Sequence, residues 1–363
     1  IEFNRIKEIF IVKLVILAIE YLYRNIMKIL IHNFFIILVF FLTMPSCNSE
    51  VTSTKKIEKK IEKWNKSGVF NQDSAYKFIA KQVYYGPRVP NTIGHKKCGD
   101  WIVTKLSSLG FNVREQIGVV TAFNGAKLPV RNIIGSFNEK AKKKIMLCAH
   151  WDTRPFADRD TFNINQPIVG ANDGASGVGV LLEIARVVEK DSIEIGLEII
   201  FFDVEDYGAP NYSSSFSDLQ TSNDTWCLGS QYWSYNISKD YQKPEFGILL
   251  DMVGAKDAVF PKEEISRQYA GYHLNKLWKL GKYLGYGNYF KKKIAPPLTD
   301  DHTYINQIAQ IPTMDIIHYD ISQSTNRFDF GHFHHTHKDN LEIIDPQTLK
   351  AVGQTVLTYL YNI

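Results

Sequence analysis

The chain has 363 residues, of which 45% are hydrophobic and 22% are charged, a composition typical of a globular protein with a sizeable core. Its formal net charge of +4 comes without a basic stripe interleaved with aromatic residues, so we expect no nucleic-acid partner. The four cysteines are scattered and form no CxxC pair, which argues against both a disulfide framework and a thiolate zinc site.

The N-terminal segment 1–50 is predicted to be a leader rather than part of the fold. From Met27 the run MKILIHNFFIILVFFLTMPSC has a basic start, an apolar core and then Cys47, which is the layout of a secretory signal. Residues 1–26 belong either to this leader or to upstream sequence. Lipidation of Cys47, cleavage of an ordinary signal peptide and an uncleaved anchor all remain open. We expect an exported protein that is periplasmic or anchored to the membrane by an N-terminal lipid.

Residues 51–66 predict a solvated tether that runs into a helix, and residues 67–363 predict a single domain. The run GHKKCGDWIVTKLSSLG predicts a helix closed by Gly110. FNVREQIGVVTA, LPVRNIIGSF and KKIMLCAHWD then predict three strands. In GANDGASGVGVLLEIARVVEK the apolar residues recur at helical spacing, which predicts a helix behind a Gly-rich turn.

The second half of the chain continues this alternation. A strand, IGLEIIFFDVED, is followed by a polar insertion at 207–225 and a short helix at GSQYWSYN. EFGILLDMVGA and IPTMDIIHY predict further strands, separated by a helix at RQYAGYHLNKLWKLGKYLG, and PQTLKAVGQTVLTYLYN predicts a closing helix. Strands that alternate with helices indicate an α/β fold of three layers, α/β/α, around a mixed, mostly parallel twisted sheet.

Acidic residues and histidines stand where the predicted strands stop, at the sheet edge where α/β folds bind ligands. They are His150, Asp152, Asp173, Glu205, Asp206 and Asp251. TDDH and GHFHHTHKDN add more late in the chain, and such carboxylate and imidazole groups are typical zinc ligands. Each residue alone also has an ordinary explanation. Asp173, for example, could simply cap the following helix.

Taken together, AHWDT, GANDGASG, DVED, LLDMVGA, DDH and HHTHKDN resemble the zinc aminopeptidase superfamily. They are most similar to its glutaminyl cyclase branch, the animal-type enzymes that also occur in bacteria. The resemblance covers about residues 70–362. It implies the zinc aminopeptidase-like fold and one Zn2+ per chain, bound by Asp173, Asp206 and His335.

The resemblance also implies an activity, in which an N-terminal glutamine of a peptide or protein is converted to pyroglutamate with release of ammonia. Glu205 would be the acid/base residue. Asp251 and Asp300 match two aspartates of a hydrogen-bonded acidic network, and Phe330 matches an aromatic of the substrate pocket. Trp226 is a candidate for a second pocket aromatic. We expect a monomer.

The sequence departs from the resemblance in two places and leaves an alternative. The family commonly has Glu-Glu at the Glu205-Asp206 position, and animal members have Trp where this chain has His334. The alternative is a two-metal aminopeptidase, in which His150 and Asp251 would hold a second ion. Asp300 favours the cyclase, because a further carboxylate beside Asp251 would keep it from that ion. A catalytically silent binding protein would predict loss of the base or of a ligand, and neither is lost.

Overall fold

The structure is a computed structural model that describes residues 64, 67–210, 225–323 and 325–363. The predicted leader with Cys47, and the tether apart from Trp64, lie outside the described residues, so those assignments stay predictions. Within the described part, no helix has both the length and the apolar character needed to cross a membrane.

Helices and strands alternate along the described residues as the sequence predicts. The α-helices are α1 (Gln72–Tyr84), α2 (Ile93–Ser108), α3 (Ala175–Lys190), α4 (Leu228–Tyr235), α5 (Glu264–Tyr283), α6 (Asp301–Tyr304) and α7 (Pro346–Leu360). The strands are β1 (Asn112–Thr121), β2 (Lys127–Phe137), β3 (Lys144–His150), β4 (Gly196–Phe202), β5 (Phe246–Asp251), β6 (Phe260–Glu263), β7 (Phe290–Ala295), β8 (Thr313–Ile317), β9 (Asp320–Ile321) and β10 (Phe328–Asp329). A π-helical segment (Ile305–Ala309) extends α6, and a 3-10 turn (Leu341–Ile343) precedes α7.

The main sheet has six strands in the order β1-β2-β4-β3-β5-β8. β2 pairs antiparallel with both β1 and β4, whereas the pairs β3–β4, β3–β5 and β5–β8 are parallel. The predicted mixed, mostly parallel sheet is therefore confirmed. β6 and β7 form a separate parallel pair that the sequence analysis did not predict.

Alternate residues of β3 show that both faces of the sheet are covered. Ile145, Leu147 and Ala149 belong to the large core cluster, which also includes residues of α1, α2, α3, α5 and α7. Met146 and Cys148 point the other way, into a second cluster completed by α4 and the π-helical segment. This division confirms the three-layer α/β/α fold.

The structure tests two predictions about helix ends. Gly110 lies just beyond the end of α2 and has φ +77°. Glycine adopts this left-handed conformation without steric cost, so the prediction that Gly110 ends the helix is confirmed. The N-cap of α3 is Gly174, and no side chain caps it. Asp173 therefore does not cap this helix, and its carboxylate serves other contacts.

Candidate metal centre and active site

The carboxyl ends of three neighbouring parallel strands form the floor of the site. β3 ends at His150, which lies opposite Phe202, the last residue of β4. β5, on the other side of β3, ends at Asp251. These strands run in the same direction, so the polar residues that end or follow them meet at one edge of the sheet.

Glu205 and Asp206 both reach the site because the strand ends before them. Val204 has φ +52°, a left-handed conformation that is rare for a β-branched residue and that breaks the alternation of the strand. The backbone N–H of Glu205 donates to Asp152 Oδ1 at 3.1 Å, and that of Asp206 donates to Asp152 Oδ2 at 3.3 Å. One buried carboxylate, to which the sequence analysis assigned no role, thus fixes the backbone of both acids.

The Gly-rich turn that carries Asp173 is held in the same way by a distant carboxylate. The backbone N–H groups of Asn172 and Asp173 donate to Asp339 Oδ1 and Oδ2, at 2.7 and 3.0 Å. Buried Arg88 donates through Nη2 to the carbonyl oxygen of Gly170 at 2.7 Å. The sequence analysis missed Asp339 as a supporting residue, although it lies in the HHTHKDN motif.

The three predicted metal ligands converge on one point. His335 Nε2 lies 3.2 Å from Asp206 Oδ1 and 3.8 Å from Asp173 Oδ2. The other ring nitrogen, Nδ1, lies 3.4 Å from Asp158 Oδ1. A carboxylate on the far ring nitrogen is the usual partner of a zinc-binding histidine, because it fixes the orientation of the ring.

The donor set of this triad fits zinc. Two carboxylates and one imidazole are the ligand types of catalytic zinc sites, which keep a position open for water or substrate. Asp206 Oδ2 is buried and has no hydrogen-bond partner among the described residues. A buried carboxylate oxygen without a partner is costly unless a proton or a cation satisfies it, so this atom supports a metal at the triad.

A second group of ligand types lies next to the triad and shares Asp173. His150 Nε2 lies 3.0 Å from Asp173 Oδ1 and 3.2 Å from Asp251 Oδ1. The ligand atoms of these three residues all lie within 4.8 Å of one another. This is the group that the two-metal alternative assigns to a second ion.

The electrostatics of the site suit proton transfer by Glu205. Burial raises the pKa of Glu205 well above its ordinary value, and the charge of Asp206 adds to this effect against the opposing influence of His150. Burial also raises the pKa of Asp251 to about 7, and the charges of Asp173 and Asp300 add to this effect against the opposing influence of His150. A carboxyl group that titrates nearer neutrality can both accept and return a proton during turnover.

Asp300 belongs to a larger buried network than the sequence analysis predicted. Asp300, His302 and Asp315 bring ligand atoms within 4.8 Å of one another, and His302 Nε2 lies 3.1 Å from Glu263 Oε1. Burial raises the pKa of Asp315 well above its ordinary value, and the charge of Asp300 adds to it. Asp315 was missed, although a single acid inside the buried strand TMDII is a visible signal in the sequence.

All eight predicted site residues line one cavity of about 740 Å3. They are Asp173, Glu205, Asp206, Trp226, Asp251, Asp300, Phe330 and His335. The Trp226 ring is nearly parallel to that of His335, at 8°, with 5.9 Å between the ring centroids. The Phe330 ring lies 4.7 Å from His334 and 4.8 Å from Tyr319. The cavity thus has an acidic floor and aromatic side walls.

His334 is a further histidine that could hold a metal ion, together with Asp173 and His335. Its Nδ1 accepts a hydrogen bond from Arg159 Nη1 at 2.7 Å, and a guanidinium donor at that atom competes with a metal ion. We therefore expect His334→Ala to keep the wild-type zinc content, measured by elemental analysis after dialysis. His332→Ala, at an exposed histidine, is the matched control. Loss of zinc in His334→Ala alone would show that His334 is a ligand.

Comparison with known proteins places this site in a family. The model of peptidase family M28 matches residues 132–360, a range that includes the eight site residues. The chain belongs to peptidase family M28. Among curated relatives, the glutaminyl-peptide cyclotransferase of Bothrops jararaca is 26% identical over 259 residues, covering 63% of this chain. This chain spans 65% of the length of that relative.

Solved structures of bacterial proteins are more similar to this M28 chain. The glutaminyl cyclase of Tannerella forsythia is 47% identical, with a TM-score of 0.77, and covers 81% of this chain and 99% of its own. A Zn-dependent exopeptidase from Parabacteroides distasonis is 46% identical, with a TM-score of 0.78, and covers 82% of this chain and 100% of its own. Both similarities cover more than four-fifths of this chain, and the similarity to the Zn-dependent exopeptidase supports zinc as the metal.

Proposed function

We propose that this M28 protein is a glutaminyl-peptide cyclotransferase with one zinc ion per chain. It converts the N-terminal glutamine of peptides or proteins to pyroglutamate and releases ammonia. The observation that carries the proposal is the position of Glu205. This carboxyl group has a raised pKa and lines the same cavity as the metal triad without belonging to it. Similarity to bacterial glutaminyl cyclases supports the proposal.

Asp173, Asp206 and His335 would hold the zinc ion, which supplies a Lewis acid for the γ-carbonyl group of the glutamine when bound. Glu205 takes a proton from the substrate α-amine as the amine attacks that carbonyl, and returns the proton to the departing ammonia. The nucleophile and the carbonyl belong to one substrate molecule. Proximity within the forming five-membered ring therefore replaces a water nucleophile.

The polar floor and the shape of the cavity suit such a substrate. The N-terminal amine can donate hydrogen bonds to the carboxyl groups of the floor, Glu205, Asp251 and Asp300. Trp226 and Phe330 offer apolar ring faces to the methylene groups of the glutamine side chain. The eight site residues line one cavity of a single chain, so the proposed function does not require a second subunit.

The second candidate function is a two-metal aminopeptidase. The group of His150, Asp173 and Asp251 favours it, as does the similarity to the Zn-dependent exopeptidase. The cyclase is preferred because burial, with the charges of Asp173 and Asp300, raises the pKa of Asp251 to about 7. A proton on Asp251 competes with a second cation.

The two functions differ in their products from two peptides of matched length. A peptide that begins with glutamine should release ammonia and keep its chain intact, whereas a peptide that begins with leucine should not change. Ammonia is measured enzymatically, and free amino acids are measured by chromatography. Free leucine from the second peptide, without ammonia from the first, would replace the cyclase by the aminopeptidase.

We also propose that the protein is exported and is periplasmic or held at the membrane by lipid on Cys47. The support is the charge and hydropathy pattern from Met27 to Cys47. Metabolic labelling with a fatty acid analogue tests the anchor, since Cys47→Ala should remove the label.

A further inference from the structure

Cys227 makes an unusually close contact with the proposed acid/base residue. The residue is fully buried and directly precedes α4. Its Sγ donates to Glu205 Oε1 at 3.1 Å, and its backbone N–H donates to the Glu205 carbonyl oxygen at 2.9 Å. Cys148, a buried cysteine on β3, has its Sγ 3.7 Å from the nearest acceptor, the carbonyl oxygen of Ile248.

The thiol lies between two carboxyl groups of the site. The ligand atoms of Glu205, Cys227 and Asp300 are all within 4.8 Å of one another. A buried thiol commonly serves as a small apolar group that fills space. Here it faces a carboxylate oxygen, so its S–H proton has a defined acceptor. Burial, reinforced by the charge of Glu205, raises the pKa of Cys227 well above its ordinary value, which keeps the proton on sulfur.

The other oxygen of the same carboxyl group has a different neighbour. His150 Nδ1 lies 3.8 Å from Glu205 Oε2, whereas Cys227 contacts Oε1. A carboxyl group with one oxygen fixed by a donor keeps a single orientation, and its second oxygen remains available for proton transfer. Glutamate has three side-chain torsions, so the backbone contacts from Asp152 cannot fix this orientation alone.

We propose that Cys227 is a positioning residue, whose thiol holds the Glu205 carboxyl group in the orientation needed for proton transfer. The inference rests on the proposed cyclase function, because it assigns Cys227 a role in the same reaction. The thiol does not contact the metal triad and does not transfer the proton itself. Its removal should therefore slow proton transfer without changing substrate binding or metal content.

The test compares Cys227→Ala, which removes the donor, with Cys227→Ser, which replaces the thiol by a hydroxyl donor. On a glutamine peptide, Cys227→Ala should lower kcat by about tenfold, the loss expected for a hydrogen bond to a charged group, and leave KM and zinc content near wild type. Cys227→Ser should recover most of the lost kcat. Cys98→Ala, at a cysteine that is also fully buried, should match the wild type.

Cys227 has φ +56°, so Cys227→Gly suits the backbone and removes the donor if the alanine variant does not fold. A wild-type kcat in the alanine or glycine variant would overturn the inference. So would a serine variant that is as slow as the alanine variant, or a change confined to KM. If the wild-type protein itself releases no ammonia from the glutamine peptide, the proposed function fails, and this outcome is distinct from the others.

Discussion

Glu205→Gln is expected to lower kcat on a glutamine peptide by about a thousandfold, the contribution typical of a general acid/base residue. The glutamine amide has nearly the same shape as the carboxyl group but cannot take the proton from the substrate amine. Glu205 stands outside the triad of Asp173, Asp206 and His335. Zinc content, measured by elemental analysis on the same preparation, should therefore stay at the wild-type level.

Glu198→Gln is the matched control for this variant. The Glu198 and Glu205 side chains have the same exposed fraction, 13%, but Glu198 lies on β4 and does not line the cavity of the site. The control should keep both kcat and zinc. Turnover near the wild-type rate in Glu205→Gln would remove Glu205 from the mechanism.

Asp206→Ala is expected to lose its zinc together with its activity. The substitution deletes the carboxylate that lies 3.2 Å from His335 Nε2, and a site with two protein ligands binds zinc far more weakly than one with three. Zinc per chain should fall to background after dialysis. Added zinc at high concentration should restore only part of the turnover, because the remaining ligands still include Asp173 and His335.

Asp240→Ala removes an exposed carboxylate that does not line the cavity, and it should keep zinc and turnover. The comparison of Asp206→Ala with Glu205→Gln tests how the two adjacent acids divide their roles. Equal loss of zinc in both variants would contradict that division, as would full zinc occupancy in Asp206→Ala.

Much of the fold follows from periodicity in the sequence. The six strands of the main sheet and the helices α2, α3, α4, α5 and α7 were predicted, because most of these runs carry periodic apolar residues and are bounded by turn residues. β6 and β7 were missed because FPKE is short and FKKKIA carries three consecutive lysines, so neither shows a clear apolar pattern. α6 and the π-helical segment were missed as well, because runs of four and five residues are too short to show a period.

The site residues that could be predicted from the sequence are charged residues at the ends of apolar strands. Glu205 and Asp206 follow an apolar run, and their charges mark them in the sequence. Asp152 and Asp339 were not assigned their supporting roles because those roles lie in hydrogen bonds to backbone N–H groups. Such contacts join residues far apart in the chain, as with Asp339 and Asp173, and require no particular side chain at the donor position.

The side-chain contact of Cys227 with Glu205 could not be predicted from the sequence either. In the sequence it is a cysteine without a CxxC partner, behind a polar insertion. Only the fold brings its sulfur to Glu205, because the backbone pairs Cys227 with Glu205 and Leu228 with Val204. That pairing joins two segments that the insertion separates in the sequence.

In the proposed reaction the substrate amine, not water, attacks the γ-carbonyl group, and the oxygen content of the product tests this directly. The protein is incubated with a glutamine peptide in water whose oxygen is a heavy isotope, and the molecular mass of the product is measured by mass spectrometry. We expect a product lighter than the substrate by one ammonia molecule and free of the label. A product that carries the heavy oxygen, either as an N-terminal glutamate or as free glutamine released from the peptide, would show that water is the nucleophile and would contradict ring closure by the substrate amine.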